Sequence, residues 1–432
     1  MSKICKIYDV LIIGAGAAGL FLAANLRGKS VTILEKNATP GKKILASGGG
    51  RCNVTNRRID ASNYLGDANF VKNILKNLDF KDVLNFFGEL KFNEQKQNQF
   101  FCESGAKDVL GVLLRRARQS RAQILCGVCV KSARKILTDE NGQILDISPA
   151  QNRDENLTDF EMKFDRCEQN LNEIFEVLAE NGDKFYAKNL VVASGGLSYK
   201  SLGASDIGYE IAQGFGICVI PPAPALVGFT VQKDEFWFKN LSGVCFPAQI
   251  SVACANKNAA NREPKMPRKF AGDILFTHKG ISGPAVLNAS LFWRKGLMAI
   301  NFCPNFSIET AQKSKKQLST VLPLPRRFTL EFLRAAGLSD KPYGEYKADE
   351  MAKISRLFAY EFAPAGTFGF ERAEVTKGGV DTDTLDVNCG YNGACGLYFI
   401  GEVLNVTGML GGYNLHFAFA CAANLAKRLN AE

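Results

Sequence analysis

Three glycines and one carboxylate near the start of the chain have the types and spacing that hold a dinucleotide. Gly14, Gly16 and Gly19 form G-x-G-x-x-G inside Tyr8 to Glu35, YDVLIIGAGAAGLFLAANLRGKSVTILE. The first glycine permits a tight turn, the second lets backbone approach a pyrophosphate, and the third lets helix and strand pack closely. Glu35 follows Gly16 by nineteen residues, near the spacing of about 20 for the acid that binds ribose hydroxyls. A carboxylate there repels a 2′-phosphate, which predicts an adenosine ribose without one.

Further groups suited to cofactor chemistry recur along the chain. Gly48-Gly49-Gly50 precedes Arg51, Cys52 and Asn53. Three glycines build no core, so they predict close backbone approach to a ligand. Arg51 beside them could neutralise phosphate or an anionic reduced ring, and could activate the Cys52 thiol. A flexible turn is the bland alternative. His278, one of two histidines, stands before the turn Gly280-Ile281-Ser282-Gly283-Pro284. Facing a substrate and capping the turn are equal readings for it. Near the end, Gly411-Gly412-Tyr413-Asn414 opens an apolar helix whose N–H groups would stabilise negative charge. His416 in its first turn reads as packing, with catalysis the alternative.

These residues need elements to place them. Val10 to Ile13 reads as a buried parallel strand, Ala17 to Leu26 as a helix and Val31 to Leu34 as a second strand. A membrane span or signal peptide is the competing reading of this apolar stretch. Its glycine and alanine content, and its direct run into a strand ending in Glu35, argue against both. Phe70 to Leu90 predicts two helices. Ala106 to Arg118 predicts another, with Arg115, Arg116 and Arg118 complementing its dipole. Ile124 begins a strand meander, and in it Cys126 and Cys129 would face opposite sides of one strand. Residues 148–172 are polar and acidic and read as an exposed insertion. Phe175 to Leu178, Phe185 to Ala187 and Leu190 to Ala193 read as strands, the last running into Ser194-Gly195-Gly196.

Pro221-Pro222-Ala223-Pro224 marks a hinge. Beyond it, Phe229 to Val231 and Ala248 to Ala253 alternate as in a β-rich domain. Residues 306–360 read as basic helices with Lys313, Lys315, Lys316, Arg326 and Arg327 on a solvated face. Leu397 to Ile400 is a strand that runs into Gly401-Glu402.

The 432 residues suffice for two or three domains, and 46% are apolar. Thirteen scattered cysteines predict reduced thiols and a cytoplasmic protein rather than a disulfide framework. No metal site is expected. The net charge of +10 suits either a polyanionic partner such as RNA or simply a soluble surface.

With SGGGRCN, VVASGG, FTHKGISGP, TKGGVD and GLYFIGEVLNVTG in place, the chain resembles the YhiN/BaiN-type family of bacterial FAD-dependent oxidoreductases. The motifs span residues 8–423. The resemblance implies an α/β fold. A Rossmann-like FAD-binding domain would use both chain ends, residues 1–220 and 371–432. A β-barrel-like substrate domain would take 221–305 and 361–370, with a helical insertion at 306–360. It implies that Gly14, Gly16, Ala17, Ala18, Gly19 and Glu35 hold the ADP half, assisted by Lys36 and Lys42. Backbone of Val130 would meet adenine. Gly48, Gly49, Gly50, Arg51, Cys52, Asn53, Ala193, Ser194, Gly195, Gly401, Glu402, Gly411, Gly412, Tyr413 and Asn414 would surround the ribityl and isoalloxazine end. The chain departs from the family at Lys200 and Cys102, where proline is usual, and in the 148–172 insertion.

The expected chemistry is reduction of a polarised C=C bond, with NAD(P)H as transient reductant and hydride passing from flavin N5. Cys52, Tyr199 and His278 are the candidate proton donors. The resemblance implies two substrate classes: uridine in large-subunit ribosomal RNA, giving dihydrouridine, and small steroid-like enones. The charge favours RNA. Amine oxidation and a non-catalytic flavin redox sensor are the remaining alternatives.

Overall fold

The first apolar run becomes a strand near the middle of a mixed sheet. A computed structural model describes residues 6–139, 144–145, 172–253 and 267–432. The chain forms two compact units, Met1–Pro222 with Gly378–Glu432, and Ala223–Lys377.

In the first unit, Ile7–Ile13 lies between Val31–Glu35 and Lys184–Val192 and runs parallel to both. From one edge the sheet reads Gln123–Cys126, Val31–Glu35, Ile7–Ile13, Lys184–Val192, Asn172–Ala179, Val130–Thr138 and Ile144–Leu145. Lys184–Val192 has two neighbours on its far side. Its start pairs antiparallel with Phe175 to Leu178, and Leu190 to Val192 pair in parallel with Leu397 to Phe399. The late strand Leu397–Phe399 thus joins this sheet one strand removed from the first, through Lys184–Val192. Val10 to Ile13 and Leu397 to Phe399 are buried, which is why they read as continuous apolar runs.

The helix Ala17–Asn25 crosses from the first strand to the second. It packs against the final helix, Tyr413–Ala431, through Phe21 and Phe419, whose rings stack 4.9 Å apart. Phe86 and Phe87, from the end of the helix Phe80–Phe86, complete this cluster at 4.3 Å from Phe21 and 5.7 Å from Phe419.

Three local expectations change. The two strands expected at Phe185 to Ala187 and Leu190 to Ala193 are one, Lys184–Val192, because Lys188 and Asn189 between them bond to Asp9 and do not break the ladder. The strand expected through Cys126 to Cys129 stops at Cys126. Gly127 turns with φ +77, and Gly127 N and Val128 N donate to Asn37 O and Glu35 O. At the proline-rich hinge the backbone is itself a strand, Val219–Ala225, since proline's fixed φ suits an extended edge. The acidic insertion at 148–172 lies outside the described residues except for Asn172.

The second unit holds a seven-stranded antiparallel sheet. Its order is Tyr360–Phe362, Met298–Asn301, Cys245–Val252, Arg268–Thr277, Gly280–Ser282, Phe229–Thr230 and Gly366–Thr367. Along Cys245–Val252 alternate residues Phe246, Ala248, Ile250 and Val252 are buried, the period of a half-buried strand. Residues 306–360 are helical as expected, in Ile308–Gln312, Leu318–Val321, Arg326–Ala335 and Ala348–Ser355. Phe328, from the third of these, packs 4.8 Å from Phe302 and 5.5 Å from Phe276. Lys377 Nζ donates to the carbonyls of Ser290, Leu291 and Trp293, closing the C-terminus of the helix Pro284–Phe292.

Candidate functional site

The three glycines of the first turn have separate mechanical duties. Gly14 has φ +106, and a Cβ on it would lie 2.5 Å from Ala193 O, so this turn and the strand end at Ala193 leave no room for a side chain. A Cβ on Gly19 would lie 2.1 Å from Gly14 O, so the helix packs onto its own entry turn. A Cβ on Gly16 would meet nothing within 4 Å. Gly16 is therefore where a ligand can come against backbone. It is also the helix N-cap and makes no side-chain cap bond. The first N–H that closes a turn onto Gly16 O is that of Leu20, so the N–H groups of Ala17, Ala18 and Gly19 face the positive end of the helix and suit a pyrophosphate.

Glu35 is buried at the end of its strand. Its Oε2 accepts from Ala15 N at 2.9 Å, and its Oε1 accepts from Asn37 N and Asn37 Nδ2 at 2.8 Å. Three bonds leave a carboxylate with acceptor capacity for a ribose hydroxyl. Asn37, which the motif did not reveal, also donates to Leu202 O. Lys36 is exposed and Lys42 half-buried at the start of the helix Lys42–Ala46. The paired lysine is the next one: Lys43 Nζ lies 2.6 Å from Glu402 Oε2. Val130 is buried at the start of its strand, beside the loop of Cys126 to Cys129. Burial holds both of those thiols above their ordinary range, and the carboxylates of Glu35 and Glu180 add to this for Cys126 and Cys129 respectively.

The triple glycine is an ordered loop. Gly48, Gly49 and Gly50 all have positive φ, and Gly49 and Gly50 are exposed with little near them. Cys52 follows in the same left-handed region, with φ +53. Cys52 is fully buried, and burial pushes its thiol up to about 12. The expected activation by Arg51 is absent. The Arg51 guanidinium lies 4.5 Å over the Phe101 ring, with Nε 3.4 Å from Gly48 O. Cys102, in the family's proline position, is buried with Sγ 3.4 Å from Ser104 Oγ.

The two ends of the chain meet beyond this loop. Asn53 heads the strand Asn53–Asn56. With its amide oriented to satisfy both atoms, Oδ1 accepts from Gly412 N at 3.0 Å and Nδ2 donates to Thr55 O at 2.9 Å. Asn56 Nδ2 donates to Gly411 O at 3.0 Å. Asn414 holds both the N–H and the carbonyl of Gly408, and Tyr64 Oη donates to Tyr413 O. His416 serves the same scaffold. Its Nε2–H donates to Leu78 O at 3.1 Å, so the neutral ring's Nδ1 accepts from Thr55 Oγ1 at 2.8 Å. Burial pulls its pKa down to about 4, and it is a structural, uncharged histidine.

Two buried hydroxyls at this end lack a hydrogen-bond partner among the described residues: Ser194 Oγ and Tyr209 Oη. Burial raises the Tyr209 phenol, and the nearby Glu402 carboxylate adds to the rise. Unpaired buried hydroxyls cost about 1–3 kcal/mol each, so native proteins rarely keep them without a ligand or water. Gly195, with φ +75, has open space where a Cβ would be, and Gly401 has φ +78 beside Ala18. Open backbone at Gly16 and Gly195, donors on a helix N-terminus and orphaned hydroxyls fit a dinucleotide whose far end carries a polar chain.

The remaining candidates are less tied to this cradle. Tyr199 is half-buried with φ +60 and precedes exposed Lys200. His278 belongs to the second unit, where it and Lys279 are the exposed two-residue turn between Arg268–Thr277 and Gly280–Ser282. Thr277 Oγ1, not the imidazole, accepts from Lys279 N and Gly280 N and so caps this turn.

The chain matches the family model described as HI0933-like protein Rossmann domain over residues 8–154 and 138–428. It is 35% identical to the ribosomal RNA dihydrouridine synthase of Haemophilus influenzae, covering 97% of this chain and 98% of that one. It is 34% identical to the protein of the same name in Escherichia coli, with the same coverage. The 3-dehydro-bile acid delta(4,6)-reductase of Clostridium scindens is 30% identical over 98% of both chains.

Proposed function

We propose a function from one premise: the chain belongs to the HI0933-like Rossmann family. It is a flavin-dependent oxidoreductase whose cofactor is FAD and whose substrate is uridine in large-subunit ribosomal RNA. Its relatives' names describe one reaction type, saturation of a C=C bond. In uracil and in a dienone steroid that bond is conjugated to a carbonyl, so each accepts hydride at one carbon and a proton at the other. Bound FAD supplies the hydride, with NAD(P)H restoring it.

The observation that carries this reading is the cradle formed by both chain ends. Ala17 to Gly19 offer N–H groups to the pyrophosphate, and Glu35 receives the ribose. Ser194 and Tyr209 supply buried, unpartnered hydroxyls of the kind a ribityl chain satisfies. The fully buried, weakly acidic Cys52 thiol is a poor proton source, which leaves Tyr199 and His278 as the proton-donor candidates.

RNA is favoured over a small enone by the two relatives at 34–35% identity and by the +10 charge. The bile-acid relative at 30% supports the enone as second reading. Mass-spectrometric dihydrouridine content of ribosomal RNA, from cells with and without the gene, tests the choice. Loss on deletion and return on complementation supports RNA. An unchanged level, with turnover of a 3-keto-4-ene steroid by the purified enzyme, establishes the second reading instead. In either case the setting is the cytoplasm. Among the described residues no helix is long and apolar enough to cross a membrane.

A further inference from the structure

We infer that the first unit carries a second binding surface, a cationic cleft that grips the phosphate backbone of an RNA strand away from the reacting base. This rests on RNA being the substrate. The cleft, of about 970 Å³, lies between the C-terminal end of the helix Ala17–Asn25 and the last turn of the helix Ala106–Gln119. Its charged lining is Arg27, Lys29, Arg115, Arg116 and Arg121 against a single acid, Glu89. Arg118 lines the adjoining groove.

Helix capping does not account for these cations. At the end of the first helix, Phe21 O accepts from Asn25 Nδ2, Ala23 O from Ser120 Oγ and Asn25 O from Asn430 Nδ2. At the end of the second, Ser120 N, Ala122 N and Arg121 N donate to the carbonyls of Arg116, Ala117 and Arg118. Neutral donors hold these six carbonyls, and among the described residues no arginine or lysine side chain bonds to them. Each helix end contributes only about half a negative charge. Two ends and Glu89 therefore leave the cleft strongly positive.

Two of the arginines are fixed in place and four cations are available. Arg115 pairs with Glu89, and the Arg116 guanidinium lies 4.3 Å over the Phe86 ring. Arg27, Lys29, Arg118 and Arg121 are in no ion pair among the described residues. Arg121 sits at φ +63, an unfavourable backbone for a side chain that only needs solvent.

The lining also selects the ligand. It contains no aromatic ring and few apolar side chains, so it offers a base nothing to stack on. A mononucleotide or nicotinamide site would need such a wall. A run of phosphates needs only cations, and contacts of that kind position RNA without reading its sequence. The cleft is at the opposite end of the first helix from Gly16, about 13 Å along its axis at 1.5 Å per residue. It is therefore separate from the pyrophosphate cradle.

The test uses the flavin-loaded full chain and a fluorescein-labelled transcript of a large-subunit ribosomal RNA domain. Anisotropy titrations between 50 and 200 mM salt compare wild type with Arg27→Gln, Lys29→Gln, Arg118→Gln, Arg121→Gly combined. The variant is expected to bind at least tenfold more weakly at low salt, with a log–log salt slope lower by about three for four lost contacts. Flavin content and nicotinamide-driven flavin reduction should stay at the wild-type level. Should the combined variant lose flavin, Lys29→Gln with Arg118→Gln is expected to lower the slope by about one and a half. Unchanged affinity and slope, with wild-type RNA reduction intact, overturns the cleft and leaves the RNA substrate standing. A raised KM for NAD(P)H instead makes the cleft a nucleotide site and overturns the strand. A wild-type enzyme that neither binds nor reduces RNA overturns the substrate reading and this inference with it.

Discussion

Lys43 Nζ and Glu402 Oε2 are 2.6 Å apart, although 359 residues separate them in sequence. The pair ties the helix Lys42–Ala46 to the turn after the strand Leu397–Phe399. Both side chains are partly exposed, so the bond itself contributes about 0.2–1 kcal/mol. Its larger consequence is positional, because Glu402 adjoins the buried phenol of Tyr209. A double-mutant cycle of Lys43→Met and Glu402→Gln, read by thermal unfolding of the apoprotein, should give a coupling no larger than about 1 kcal/mol. Flavin release should speed up more in Glu402→Gln than in Lys43→Met, measured by fluorescence of the freed flavin.

Gly16 and Gly19 should separate cofactor binding from folding. Gly16→Asp puts a carboxylate into open space where the pyrophosphate fits, so purified protein should be folded by circular dichroism but nearly flavin-free by absorbance. Gly19→Ala forces a Cβ to within 2.1 Å of Gly14 O and should lower stability by about 1–3 kcal/mol, measured by urea unfolding.

Tyr209→Phe and Ser194→Ala remove hydroxyls that are buried and unpaired. Each should leave the apoprotein as stable or raise it by about 1 kcal/mol, while weakening flavin binding. Thermal shifts of the apo and loaded forms check both signs. A loss of apo stability would show that the hydroxyls act in the fold itself.

His416 makes stability fall on mild acidification. The folded ring protonates at about 4 and the unfolded ring near 6.5. Between these values the unfolded chain binds the extra proton, so unfolding becomes easier as pH drops from 6.5 toward 4. The full difference is about 3 kcal/mol. His416→Gln should lower stability at pH 7.5 through lost bonds to Thr55 and Leu78, yet flatten the acid slope of urea midpoints.

Lys315 and Lys316 are exposed in the helical part of the second unit. Charge reversal of both should reduce RNA affinity and its salt slope while leaving turnover of a small enone unchanged, as seen by anisotropy and by nicotinamide oxidation. A loss of enone turnover would point to misfolding of that unit.

The glycine fingerprint, the buried parallel strands and Glu35 were legible because local physics dictates them. A tight turn, a close backbone approach and a run of apolar residues each leave a mark within a few positions. The fate of His416 was also readable, since a helix start inside an apolar segment disfavours charge. What tertiary structure decided was which neighbour completes each group. Lys42 and Lys43 are indistinguishable in sequence, and only the direction of a five-residue helix gives Glu402 to the second. Cys52 and Arg51 are adjacent in sequence, yet the left-handed backbone at Cys52 buries the thiol while Phe101 holds the guanidinium outside. Arg115, Arg116 and Arg118 suggested complementing the helix dipole, and Arg116 and Arg118 do stand in the last turn of Ala106–Gln119. Only packing decided that Glu89 pairs with Arg115 and that the Phe86 ring takes Arg116. Hydrogen bonds and ion pairs join residues hundreds of positions apart, and their partners depend on how elements pack, which no local pattern encodes.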